Sequence, residues 1–161
     1  MKKSIFITFL LVAFAYTAQA QEISPNALGL RLGDGNGFGA EVSYQRALGM
    51  NNRLELDLGL RSDNNFDGFS LAGLYQWVWL LDGNFNWYAG VGGGVASYDY
   101  KPDFPGYNGS ETFIFGAGDI GIEYNFDIPL QISLDARPEF AFGNYNDNLD
   151  FDIALGIRYR F

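Results

Sequence analysis

Leu149-Asp150-Phe151-Asp152-Ile153-Ala154-Leu155-Gly156-Ile157-Arg158-Tyr159-Arg160-Phe161 is the stretch that decides the fold. Leu149, Phe151, Ile153, Leu155, Ile157, Tyr159 and Phe161 occupy every second position. Asp150, Asp152, Ala154, Gly156, Arg158 and Arg160 stand between them. Successive side chains of a strand point to opposite faces, whereas a helix repeats every 3.6 residues. So long a run of strict alternation reads as a strand, apolar on one side and polar or small on the other.

The same pattern recurs in seven segments before it. Leu28, Leu30 and Leu32 alternate with Gly29 and Arg31. Phe38, Ala40, Val42 and Tyr44 alternate with Gly39, Glu41 and Ser43. Leu54, Leu56, Leu58 and Leu60 face away from Arg53, Glu55, Asp57, Gly59 and Arg61. Phe69, Leu71, Tyr75, Trp77 and Trp79 oppose Ser70, Ala72 and Gln76, although Leu74, Val78 and Leu80 blur that strand. Phe85, Trp87, Ala89, Val91 and Val95 oppose Asn86, Tyr88, Gly90, Gly92 and Gly94. Ile114, Ile120, Ile122 and Tyr124 oppose Phe115, Ala117, Asp119, Gly121 and Glu123. Leu130, Ile132, Leu134, Ala136, Phe140 and Phe142 oppose Gln131, Ser133, Asp135, Arg137 and Glu139. Pro138 lies on the apolar side of that seventh strand. It has no N–H to give to a ladder, so a bulge or an unpaired edge is expected there.

The connections alternate between long and short. Gly33–Gly37, Ser62–Gly68, Asp99–Glu111 and Gly143–Asn148 are the longer, polar set; Leu48–Asn52, Leu81–Asn84 and Asp127–Pro129 are the short one. An up-and-down barrel gathers each set at one end.

The 161 residues are 48% hydrophobic, yet mean hydropathy is −0.05, as interleaving requires. There is no Cys and no His. That excludes a disulfide framework, thiolate metal ligation and a Cys nucleophile, and removes the commonest general base. Lys2 and Lys3, the apolar run Ile5–Tyr16 and Ala18-Gln19-Ala20 have the order of a cleaved signal peptide over 1–20, leaving 21–161 as one domain. The run is too short to span a bilayer as a helix, which takes about 20 residues. Without it, eight Lys and Arg oppose nineteen Asp and Glu, a charge of −11. Nucleic acid is not an expected partner of such a chain.

Volume settles which face is outside. An eight-stranded barrel has an interior just wide enough for side chains to fill. The apolar faces hold about forty residues, including all three Trp, and cannot fit within it. They are therefore expected to meet lipid. Tyr44, Trp77, Trp79, Phe85, Trp87, Tyr124, Tyr159 and Phe161 gather near the short-turn end, and Phe38, Phe69, Phe140, Phe142 and Phe151 near the long-loop end. Two belts of rings suit two membrane interfaces. The expectation is an all-β, eight-stranded, antiparallel, up-and-down transmembrane β-barrel following a cleaved signal peptide.

From Ala27 to Phe161 the chain resembles the small outer-membrane barrels of the OmpA/OmpX type and the outer-membrane β-barrel proteins of the Bacteroidetes. Gly156-x-x-Tyr159-x-Phe161 is similar to the signal that the barrel-assembly machinery recognises in such proteins. Leu134-Asp135-Ala136-Arg137-Pro138-Glu139-Phe140 is similar to the penultimate strand of the Bacteroidetes group. The resemblance does not extend to the peptidoglycan-binding domain that follows the barrel in OmpA. It implies export through the periplasm to the outer membrane, contact with its lipid and lipopolysaccharide, and delivery by the assembly machinery. Outer-membrane barrels that act as lipid-modifying enzymes or proteases use a catalytic His, so the resemblance implies no enzyme here and no cofactor.

The polar faces place Arg31, Arg53, Arg61, Arg137, Arg158 and Arg160 inside with Glu41, Glu55, Asp57, Asp119, Glu123, Asp135, Glu139 and Asp152. Buried charges must be paired, and the guanidinium fork suits carboxylates. Strand adjacency predicts a middle cluster of Asp119, Asp135 and Arg137. It also predicts a second one joining Arg158 to Glu123 or a neighbouring acid. The glycines of strand five make room for Tyr88, Tyr98, Phe113 or Phe115 to lie across the lumen. A plug is favoured over an ion path, because eight strands leave no bore. The long connections hold Asp34, Asp63, Asp67, Asp99, Asp103, Glu111 and Asp147 against Lys101. Tyr100, Lys101, Asp103, Phe104, Tyr107, Tyr145 and Asp147 are the candidate contacts for an extracellular protein or glycan. The alternative functions are a narrow ion or small-solute pore and, more remotely, a lipid-modifying enzyme.

Overall fold

The computed structural model describes residues 23–33, 39–62, 66–100, 109–142 and 149–161. Eight strands run in chain order: β1 (Asn26–Gly33), β2 (Ala40–Ala47), β3 (Asn52–Ser62), β4 (Phe66–Asp82), β5 (Phe85–Tyr100), β6 (Gly109–Asn125), β7 (Leu130–Phe142) and β8 (Leu149–Arg160). Each pairs antiparallel with the next, and β8 returns to β1, closing the barrel. At the seam Ala27 faces Arg160 and Gly33 faces Ala154. The N–H of Asn26 donates to the Phe161 carbonyl at 3.0 Å, and the N–H of Phe161 donates back at 2.9 Å. Closure leaves no edge strand with unmet backbone groups, as a sheet in hydrocarbon requires.

The alternation read from β8 holds through the body of the strands, except in β5, where Gly92 is exposed and Ser97, paired with the outward Phe69, is buried. Leu30, Val42, Leu58, Leu71, Ile120, Leu134 and Ile153 are exposed on the outer surface, whereas Arg31, Ser43, Asp57, Ala72, Gly121, Asp135 and Ala154 are buried between the strands. The residues that blur β4 in the sequence follow the rule too: Leu74 and Val78 point inward and are buried, beside Ala72 and Gln76. Leu74 fits because the residues around it are mostly small. Leu74 packs with Ala72, Ala96, Phe115 and Ala117, an apolar patch inside the barrel on the β4–β6 side. Phe115 lies over Gly94, where an added Cβ would stand 2.5 Å from its ring, and Tyr88 lies over Gly121 in the same way. Tyr98 and Phe113 pack on the edge of this patch.

Pro138 makes no bulge. The pairing of β6 with β7 is interrupted at Gly118 and Asp119, but Ala117↔Glu139 and Ile120↔Ala136 on either side keep one register. The missing N–H removes ladder contacts without adding a residue. Gly118 opposite gives the ring its space, since a Cβ there would come within 3.2 Å of Pro138 Cγ. A register shift occurs instead between Leu80 and Asp82, at the β4–β5 turn, where Gly83 adopts a positive φ.

The short connections gather at one end with Asn26 and Phe161. The long ones gather at the other, and two of them are shorter than expected, because β4, β5 and β6 extend into them as far as Phe66, Tyr100 and Gly109. Trp79 and Trp87 stack at 4.3 Å at the short-turn end, where Tyr75 and Trp77, Phe85 and Tyr124, and Tyr159 and Phe161 also pair. Phe69, Phe140, Phe142 and Phe151 are exposed nearer the long loops. Phe38 and the expected signal segment 1–20 lie outside the described residues.

Candidate functional site in the lumen and at the long-loop end

Four arginines lie in the lumen, each at most 1% exposed: Arg31, Arg53, Arg137 and Arg158. They come from β1, β3, β7 and β8. Arg31 donates from Nε to Asp135 Oδ1 at 2.9 Å and from Nη1 to Glu41 Oε2 at 2.9 Å, and Nη1 also meets Asp152. Arg137 reaches across to Asp57, with Glu41 at 3.4 Å and Glu55 at 3.5 Å. Arg158 donates to Ser43 Oγ at 2.9 Å and Ser133 Oγ at 2.8 Å, and its Nη2 stands 3.3 Å from Glu55. Arg53 donates to Gln76 and Glu123, both at 2.6 Å, and sits 4.7 Å over the Tyr88 ring.

Neutral side chains complete the set. Gln45 donates to Glu55, Gln76 donates to Asp119, and Asn86 donates to Glu123 at 3.0 Å. The Tyr88 hydroxyl lies 3.5 Å from Asp135. Every strand thus takes part in side-chain contacts across the lumen. Burial makes the loss of one partner costly, because the other is left as an uncompensated charge.

The partners differ from those that strand adjacency predicts. Asp119, Asp135 and Arg137 lie within electrostatic reach of one another, but their direct partners are others: Asp135 meets Arg31, Arg137 the acids of β2 and β3, and Asp119 accepts from Gln76. Arg158 meets Glu55, while Glu123 goes to Arg53. An extended arginine spans a narrow lumen, so the opposite wall is as near as the next strand. Arg160 is not in the network. It sits at the short-turn rim, where its Nη2 donates to the carbonyls of Phe126 at 2.5 Å and Ile128 at 3.0 Å. Its position on the inner face carries it beyond the last acid and onto the β6–β7 turn. Glu139 is half-buried on the inner face toward the long loops. The side chain of Arg61 lies outside the described ones.

Sequence reasoning passed over Ser43, Gln45, Gln76, Asn86 and Ser133 as partners. Their signal was present, since each occupies an inward position of the two-residue period. Gly156 lies on the inner face under Arg158, and a Cβ there would collide with that guanidinium and with Ser133. Tyr159 and Phe161 are exposed on the outer face with rings stacked at 6.1 Å.

At the long-loop end Asp67 of β4 pairs with Asp99 of β5, and Asp99 pairs with Ser110 of β6. Ser62 donates to Asp67 at 2.5 Å. Asp67 and Asp99 stand at this rim one ladder step from Arg61, which pairs with Gly68. Lys101, Asp103, Phe104, Tyr107, Tyr145 and Asp147 lie outside the described residues, as does the side chain of Tyr100.

A closed antiparallel barrel with an apolar outer face and a charged, filled interior is a transmembrane β-barrel. Its fold is that of the small eight-stranded outer-membrane barrels of the OmpA/OmpX type. The N-terminal β-barrel domain of Pseudomonas aeruginosa OprF is similar with a TM-score of 0.66 and 14% identity, over 86% of this chain and 100% of that one. Neisserial surface protein A has a TM-score of 0.60 and 13% identity, over 84% of this chain and 94% of its own. Ail, the attachment invasion locus protein of Yersinia pestis, has 0.56 and 13%, over 86% and 100%. A further structure holds Ail with the heparin analogue sucrose octasulfate. No protein-family model and no curated protein matches the sequence.

Proposed function

We propose that the protein is an integral outer-membrane barrel whose lumen is a structural plug and whose long-loop end is a binding surface for a partner outside the cell. The observation that carries this reading is the arginine–carboxylate network, which joins opposite walls through the middle of the barrel. A lumen crossed in this way favours mechanical function over transport. The long-loop end then remains as the place for specificity, as loops on a rigid scaffold commonly are.

The chemistry of that end selects among partners. Seven acids against Lys101 favour a basic protein, or a glycan bound through its hydroxyls, over a sulfated polysaccharide. Ail is seen with such a sulfated ligand; the charge here argues for a different choice. Divalent cations shared with lipopolysaccharide phosphates are a further use of the same carboxylates. The C-terminal Gly156, Tyr159 and Phe161 serve as the assembly signal, and the two outward rings are accessible for it. Catalysis has no part in this reading.

Deleting residues 101–108 tests it. The variant is expected to stay folded, migrating differently in SDS gels with and without heating, while losing attachment of cells or capture of the partner. Attachment that survives the deletion contradicts the loop assignment. Planar-bilayer recording tests the plug: no steady single-channel steps are expected, and steady steps would favour a narrow pore.

A further inference from the structure

The inner face of β1 is nearly bare. Its inward positions are Ala27, Gly29, Arg31 and Gly33, and only Arg31 carries a side chain longer than a methyl. Gly29 is held to glycine by the closeness of β8: a Cβ there would collide with the Ile157 carbonyl. β1 is also short, eight residues, against 17 in β4 and β6.

Arg31 compensates by reaching both sides of the closure. Its guanidinium meets Glu41 on β2, Asp135 on β7 and Asp152 on β8. The neighbouring strands are held independently of β1. Arg158 runs from β8 to Ser43 on β2 and Glu55 on β3, and Arg137 runs from β7 to Glu41, Glu55 and Asp57. These contacts pass across the lumen behind β1 and do not need it.

We propose that β1 is a latched strand. Its hold on the interior runs through the one guanidinium of Arg31, so that removing this group loosens the β1–β8 seam while the remaining barrel stays together. Arg31 is then a positioning residue for closure, and the seam is the place where the barrel opens sideways most readily. In the variant β1 would keep its ladder hydrogen bonds and, at its short-turn end, those that Asn26 accepts from Tyr44 and Arg46, and amides in such a segment exchange through local opening.

The test is backbone hydrogen exchange, read peptide by peptide, on the full barrel refolded in detergent micelles. Arg31→Met should speed exchange across 26–33 and 154–160 by about tenfold or more, with β4 and β5 little changed. Arg31→Lys keeps the charge but not the three-way fork, and should show a smaller rise in the same segments. Arg53→Met, whose partners lie on β4 and β6, should loosen those strands and leave the seam alone. The proposal is overturned if Arg31→Met leaves β1 protected, or if exchange rises uniformly round the barrel. Should Arg31→Met fail to refold, Arg31→Lys decides by the same criterion: a rise confined to the seam supports the latch, and no rise or a uniform one refutes it.

Discussion

Arg53 has no exposed surface, and its charge is met by Glu123, Gln76 and the face of Tyr88. Arg53→Met would leave Glu123 buried without its cation. The expected loss is about 3–5 kcal/mol, read from urea unfolding in micelles. A variant within experimental error of the parent would show that the pair is not needed. Space is as tight as charge. Gly121 lies under Tyr88, and a Cβ there would stand 2.5 Å from Tyr88 Cζ. Gly121→Ala should cost about 1–3 kcal/mol by forcing the ring aside, measured in the same titration. At this scale the sequence told inside from outside, because one-residue parity sorts Arg31 from Leu30 and Asp57 from Leu58. It could not tell partners. Those depend on where a long side chain ends across the lumen, which neither strand order nor spacing contains; Arg137 passes over its own neighbourhood to reach Asp57.

The strands were legible wherever one face was uniformly apolar and the other polar or small, as in β3 and β8. β4 was harder, because Leu74 and Val78 are apolar yet point inward. Leu74 meets Ala72, Ala96 and Ala117, and the interior thus has an apolar patch beside its polar network. Its outward partner surface gives a sharp test of which face meets lipid. Leu56→Arg, at the middle of β3, should cost about 2–4 kcal/mol in a bilayer, measured by refolding titration into vesicles. A negligible cost would mean that Leu56 does not meet hydrocarbon. The β6–β7 ladder is read wrongly if Pro138 is taken as the site of a bulge. Its ring is accommodated by Gly118, and the register on both sides is the same. Pro138→Ala should therefore leave the fold in register and shift stability by no more than about 1 kcal/mol, since a regained ladder contact offsets the lost rigidity.

Across the whole molecule, closure, an apolar exterior and a tied interior follow from one repeated two-residue rule, and that much was open to sequence reading. The long loops were not, because their composition sets charge and stiffness but no geometry. The central claim is that the outward face lies in lipid. The protein carries its own probes for this: Trp77, Trp79 and Trp87 all stand on the outer face near the short-turn end. The most direct measurement is their fluorescence in vesicles, with lipids brominated near the headgroup end of the acyl chain compared against acrylamide in the water. The account predicts strong quenching by the brominated lipid and little by acrylamide. Strong quenching by acrylamide, with none from the lipid, would contradict it.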